Sequence, residues 1–151
     1  MIRADSVRRM PDLLIRFIAV LVLLAVATGG WLAVRHRRGN PRTVSGAPGV
    51  DAIAAAVTIP AAARQVVVQF SGPHCSACGP SARVWRSVVT EPDAFLSVDV
   101  TEHLDLTRTF GVLSTPTSLV FDGNGELRTR LTGPPSPARA REALALAGSF
   151  H

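Results

Sequence analysis

The residues best suited to do chemistry are Cys75 and Cys78, the only two cysteines in a chain of 151 residues. Two thiols at this spacing can close a disulfide within one helical turn and open it again. The thiolate is the attacking form, and a second thiol can release whatever the first sulfur captures. Two cysteines are too few for a disulfide framework, and they leave no third thiol for an internal relay. A bridge that closes so short a loop stabilises little on the chain-entropy account. A zinc site needs two more ligands. His74 adjoins Cys75 and is poorly placed to share a tetrahedral ion with it, and His36, His103 and His151 are scattered. The expectation is a redox dithiol that needs no metal and no organic cofactor.

A Cys-x-x-Cys spacing alone is a weak signal, so the elements around it matter. Val66-Val67-Val68-Gln69-Phe70 reads as a short strand buried on both faces. Ser71-Gly72-Pro73-His74 is a loop. A helix follows over about 76–90, with Pro80 in its first turn and Trp85, Val88 and Val89 on one face. This order puts Cys75 beside the unpaired N–H groups of a helix start, which favour a thiolate. Cys75 is then the exposed attacker, and Cys78, one turn in and more buried, the resolving thiol. His74 reads as an exposed loop residue; when protonated it would also help to depress the Cys75 pKa. Leu113-Ser114-Thr115-Pro116-Thr117 precedes another strand. Pro116 cannot sit in a central ladder and marks the loop that enters it, where a cis bond is plausible.

The remaining elements follow from pattern. A short helix begins near Asp51, read as its cap, and runs to Val57 ahead of Pro60. Strands are expected over 94–100 and 117–121, with a short helix over 102–110 between them. Asp122-Gly123-Asn124-Gly125 supplies turn chemistry for a hairpin whose second strand covers 126–132. A terminal helix covers 137–147. The order β-α-β-α-β-β-α implies two parallel strands followed by an antiparallel hairpin.

In this order and at these distances the elements resemble the thioredoxin family over about residues 64–148. The residues that carry the resemblance are Val66 to Phe70, Cys75-Ser76-Ala77-Cys78, Val98-Asp99-Val100, Phe110-Gly111-Val112, Thr115-Pro116-Thr117, Phe121 to Gly125, and Gly133. The resemblance implies an α/β thioredoxin-like fold, a central mixed β-sheet flanked by helices. It also implies Cys75 as nucleophile, Cys78 as resolving thiol, and a cis Pro116 facing the disulfide. The Thr115 backbone would pair with an extended substrate segment. There are departures. Ser76-Ala77 stands where cytosolic thioredoxin has Gly-Pro, and Ser71 where a Trp is usual. Gln69 occupies the position of a buried Asp that serves proton transfer to the resolving thiol, and Gln cannot titrate.

The N-terminal third has another character. Residues 13–34 are apolar except for Arg16, Thr28 and Gly29-Gly30, long enough to cross ~30 Å of hydrocarbon as one helix. Residues 1–12 form a basic segment, 35–49 have flexible-linker composition, and 50–151 hold the thioredoxin-like domain. The rival reading is a cleaved signal peptide ending near Ala25-Val26-Ala27. The formal net charge is +5, yet residues 1–49 carry +6 and residues 50–151 carry −1. A basic excess flanking an apolar span suits a lipid bilayer and not nucleic acid, which needs a basic face on the folded domain. Four Arg stand on each side of the span, so charge gives little bias in orientation. The tethered relatives suggested by the resemblance belong to bacterial envelopes. The expectation is a single-pass protein of the bacterial cytoplasmic membrane with its domain outside. It would exchange disulfides with envelope proteins, mainly as a reductase and with oxidation as the other direction, served by a membrane electron donor or acceptor protein. The alternative is a tethered binding or holding module without redox turnover.

Overall fold

The computed structural model describes residues 5–37 and 41–149. Arg3, Arg38 and His151 lie outside the described residues, as do the side chains of Arg8, Arg9, Arg35, His36 and Arg37. The chain divides into two units, a long N-terminal helix and a folded domain.

Helix α1 (Asp5–Arg37) has 33 residues and overruns the expected 13–34 span at both ends. Apolar pattern marks the span, whereas the breakers Gly39 and Pro41 come only after Arg37. Within it, Leu14–Ala33 has a mean hydropathy of 2.1 over 20 residues and is long and apolar enough to cross a membrane. A helix of that length rises about 30 Å. Its one hydroxyl, on Thr28, donates to the Leu24 carbonyl at 2.6 Å and so needs no water, while the charged Arg16 lies near one end of the stretch. A signal sequence would satisfy the same criteria of length and composition.

The domain is built on a five-stranded sheet. Its elements are β1 (Arg42–Thr43), α2 (Asp51–Ala54), β2 (Val66–Ser71), α3 (Cys78–Val88), β3 (Ala94–Asp99), α4 (Leu104–Thr109), β4 (Thr117–Phe121), β5 (Leu127–Thr132) and α5 (Pro137–Gly148). The strand order is β1-β5-β4-β2-β3. β2 pairs parallel with β3 and antiparallel with β4, and β4 pairs antiparallel with β5, as the expected order requires.

β2 is central and buried on both faces, which explains its run of β-branched residues. Val66, Val68 and Phe70 pack on one side with Ile53, Phe110, Leu119 and Phe121. Val67 packs on the other with Trp85, Leu131, Ala140, Ala143 and Ala147. The small alanines bring α5 close to the sheet. Ser136 caps α5 by accepting from the Arg139 N–H at 3.3 Å, and Pro137 occupies a first-turn position where its missing donor costs nothing.

Three local expectations change. Part of the segment with linker composition belongs to the sheet: Arg42 and Thr43 pair with Arg130 and Thr129 of β5. Two polar residues on an edge carry no alternating pattern, so composition hid them. Asp51 lies in the first turn of α2, and Val50 takes the cap position without a side-chain bond. Val50 is held there by its N–H, which donates to Gly125 O at 2.7 Å. Gly125 has φ +78°, and a Cβ on it would lie 2.7 Å from Val50 Cγ1. Finally, α3 starts at Cys78 and not at Ser76, because the Cys78 N–H closes a turn onto Cys75 O at 3.2 Å.

Candidate active site

The last residue of β2, a short loop and the first residue of α3 bring the two sulfurs together. Cys75 and Cys78 are bridged, with Cα atoms 5.4 Å apart. The loop is wound tightly: the Cys75 N–H donates to Gly72 O at 3.1 Å, and the Ser81 N–H to Ala77 O at 3.0 Å. The two sulfurs differ in access. Cys75 is half-buried, while Cys78 is 7% exposed and faces the sheet with Ser81, Ala82 and Trp85. The first turn of α3 contains no acidic residue, so nothing there cancels the positive end of the helix. That field favours a thiolate at Cys75 whenever the bridge is open. His74 is exposed on the same loop.

Gln69 lies directly behind the bridge and is 1% exposed. Its Nε2 donates to Cys78 O at 3.1 Å and to Ser71 Oγ at 3.0 Å. The amide orientation follows from its partners, since a backbone carbonyl can only accept. Ser71 Oγ in turn meets Ser97 Oγ at 3.2 Å. Register explains this cluster: Gln69 is opposite Ser97 on β3 and Ser118 on β4. A polar row therefore crosses three strands beneath the start of α3. Its far end is satisfied by Trp85 Nε1, which donates to Ser118 Oγ at 2.8 Å. At the same end of the sheet, Thr101 holds the Asp99 carboxyl below its usual pKa by donating its hydroxyl and its N–H, at 2.6 and 2.7 Å.

The second loop arrives from β4. The Thr115-Pro116 bond is cis. Pro116 is buried and Thr115 half-buried. A Cβ built on Gly72 would lie 3.7 Å from Thr115 Oγ1, so this loop and the dithiol loop are in near contact. Pro116 O accepts from the Gly133 N–H at 2.7 Å, and Thr117 Oγ1 donates to Ser114 O at 2.7 Å. Cys75, Cys78, Gln69, Thr115 and Pro116 thus gather at one end of the sheet. Sequence reasoning passed over Ser97, Ser81, Ser118 and Leu113. Leu113 is 98% exposed at the edge of the Thr115 loop, and an isolated Leu before Ser-Thr-Pro was its only signal.

The Thioredoxin family profile matches residues 52–145, more than half of the chain. The reduced thioredoxin pre-protein of Schistosoma mansoni superposes with a TM-score of 0.51 at 21% identity, over 64% of this chain and 89% of that one. A mutant thioredoxin from Halobacterium salinarum gives a TM-score of 0.50 at 23% identity, over 57% of this chain and 77% of that one. At these identities the structural likeness speaks to the fold alone. No curated protein matches the chain. The family profile and the mixed sheet with its bridged cysteine pair lead to one conclusion: this chain belongs to the thioredoxin family, and its Cys75–Cys78 pair supports thiol–disulfide oxidoreductase chemistry in general.

Proposed function

We propose that this protein is a membrane-tethered thiol–disulfide oxidoreductase in which Cys75 attacks and Cys78 resolves. The observation that carries the reading is the asymmetry of the bridged pair: Cys75 is half-buried on the loop whose Gly72 approaches Thr115, whereas Cys78 is buried against Gln69. In the reducing direction the Cys75 thiolate attacks a substrate disulfide and one substrate thiol leaves. Cys78 then displaces the second, closing the Cys75–Cys78 bridge. Oxidation is the same sequence reversed. The backbone at Thr115-Pro116 holds an extended substrate segment against the bridge. His74, exposed on the same loop as Cys75, is assigned a supporting role.

The apolar stretch Leu14–Ala33 acts in this reading as a single-pass anchor in a bacterial cytoplasmic membrane, with the domain on the outer side. Clients are then disulfide-bearing envelope proteins. Electrons come from, or pass to, a membrane protein, since the chain has no third thiol. The preferred direction is reductive.

The test is disulfide exchange by the full-length chain in detergent micelles, using insulin as substrate and dithiothreitol as donor. Turnover that disappears in Cys75→Ser supports the reading. Absence of exchange in the wild type, with both thiols resistant to alkylation after reduction, would replace it by a tethered holding module. Leu113, an exposed apolar side chain beside the Thr115 loop, favours that second reading, which requires unchanged client binding in Cys75→Ser.

A further inference from the structure

Two buried side-chain atoms have no hydrogen-bond partner among the described residues, Gln69 Oε1 and Ser81 Oγ. Both adjoin Cys78. Gln69 is bonded to the Cys78 carbonyl, and Ser81 lies one turn further along the buried face of α3. The pairing of Gln69 is one-sided. Both of its amide protons are used, one on Cys78 O and one on Ser71 Oγ, so Oε1 faces the interior with lone pairs only. A buried acceptor left unpaired disfavours the state that contains it. The bridged Cys78 sulfur carries no proton to offer. The reduced Cys78 thiol does.

We propose that Gln69 Oε1, assisted by Ser81 Oγ, receives the Cys78 S–H when the bridge opens, and so biases the domain towards its dithiol form. This rests on the oxidoreductase reading above and deepens it. Gln69 is a positioning residue that acts through Cys78 and touches no substrate. The balanced reaction with glutathione breaks the Cys75–Cys78 bond and forms glutathione disulfide. Two electrons pass from the glutathione sulfurs to the protein, and one proton ends on each cysteine. Only the product dithiol supplies Gln69 with a donor. Because Gln69 cannot ionise, the bias does not depend on titration of the Gln69 side chain.

The experiment equilibrates the full-length chain in detergent micelles with glutathione buffers, then quenches and counts alkylated thiols. Gln69→Met keeps the volume and removes the acceptor. It should lower the reduced-to-oxidised ratio about tenfold, equivalent to about 30 mV. Ser81→Ala should lower it roughly two- to threefold. Unfolding separates this from a purely structural role. Gln69→Met removes the bonds to Cys78 O and Ser71 Oγ from both forms, so both should lose stability, but the reduced form should lose more. A packing defect, or loss of those two bonds alone, would lower both alike. A ratio unchanged within about twofold, with exchange intact, overturns the proposal. A wild type that never equilibrates with glutathione removes the oxidoreductase reading and this inference with it. If Gln69→Met does not fold, Cys75→Ser isolates the Cys78 thiol with Gln69 in place. Its infrared S–H stretch should then show a hydrogen-bonded thiol, and the frequency of a free thiol overturns the proposal.

Discussion

Two buried polar clusters lie towards opposite ends of β4, and they are built to different standards. At the hairpin end, Asp122 accepts from the N–H groups of Asn124 and Glu126 at 2.9 and 3.0 Å and from Arg128 Nε at 2.6 Å. Burial alone would raise its carboxyl, but these donors outweigh burial and hold it below the usual carboxylate value. At the dithiol end, Gln69 uses both protons and leaves its oxygen unpaired. The first cluster fixes a turn. The second lies against the bridged Cys75–Cys78 pair. A completely satisfied buried group thus lies towards one end of β4 and an incompletely satisfied one towards the other.

The comparison breaks if perturbation at the two ends has similar consequences. The largest expected effect is Cys75→Ser, which should lower disulfide exchange by more than about a thousandfold, as loss of a covalent nucleophile does. The thermal midpoint of the reduced protein should barely move. Next is Asp122→Ala, which removes one carboxylate partner of Arg128, leaving it with Glu126, and strands the Asn124 and Glu126 N–H groups. It should cost about 2–4 kcal/mol in chemical denaturation. Exchange per folded molecule should not change. A loss of exchange in that variant would show that the ends are coupled.

The pH dependence sharpens the same contrast. Asp122 has a lowered pKa in the folded chain, so the folded state binds fewer protons there than the unfolded state. Its contribution is fully present above the unfolded value of about 4 and is lost as pH falls through the lower folded value. Asp122→Asn should flatten that acid limb of the stability curve, read by unfolding at a series of pH values. A smaller effect is expected from Trp85→Phe, which deletes the Nε1–Ser118 bond and leaves Ser118 buried without it. About 1–2 kcal/mol is expected, measured by denaturant midpoint. The smallest is Ser136→Ala at the cap of α5, about 1 kcal/mol.

Much of the fold was legible because its signals are local. The β-branched run of β2, the Asp-Gly-Asn-Gly turn and Pro116 each act over a few residues, and each element lies within a few residues of its expected place. β1 was hidden because Arg42 and Thr43 are strand residues only by virtue of β5. The helix start after the bridge moved from Ser76 to Cys78 because a turn claims the Cys78 N–H, a contest that composition does not record. Of the site, Cys75, Cys78, Gln69, Thr115 and Pro116 could be named from spacing and resemblance. Ser71 reads in sequence as a loop residue and a replacement for Trp, whereas it is the last residue of β2, and its contact with Ser97 depends on strand register. Ser81 and Ser118 are ordinary serines in sequence and acquire meaning only from what faces them.

The division of labour within the dithiol is tested most directly by trapping. Cys78→Ala and Cys75→Ala, each in the full-length chain in detergent micelles, are mixed with a disulfide probe such as oxidised glutathione and followed by intact-mass spectrometry. Cys78→Ala should accumulate a stable mixed disulfide on Cys75, while Cys75→Ala reacts at least about tenfold more slowly because its remaining thiol is buried. Equal rates for the two variants, or faster capture by Cys78, would contradict the assignment of Cys75 as the attacking sulfur.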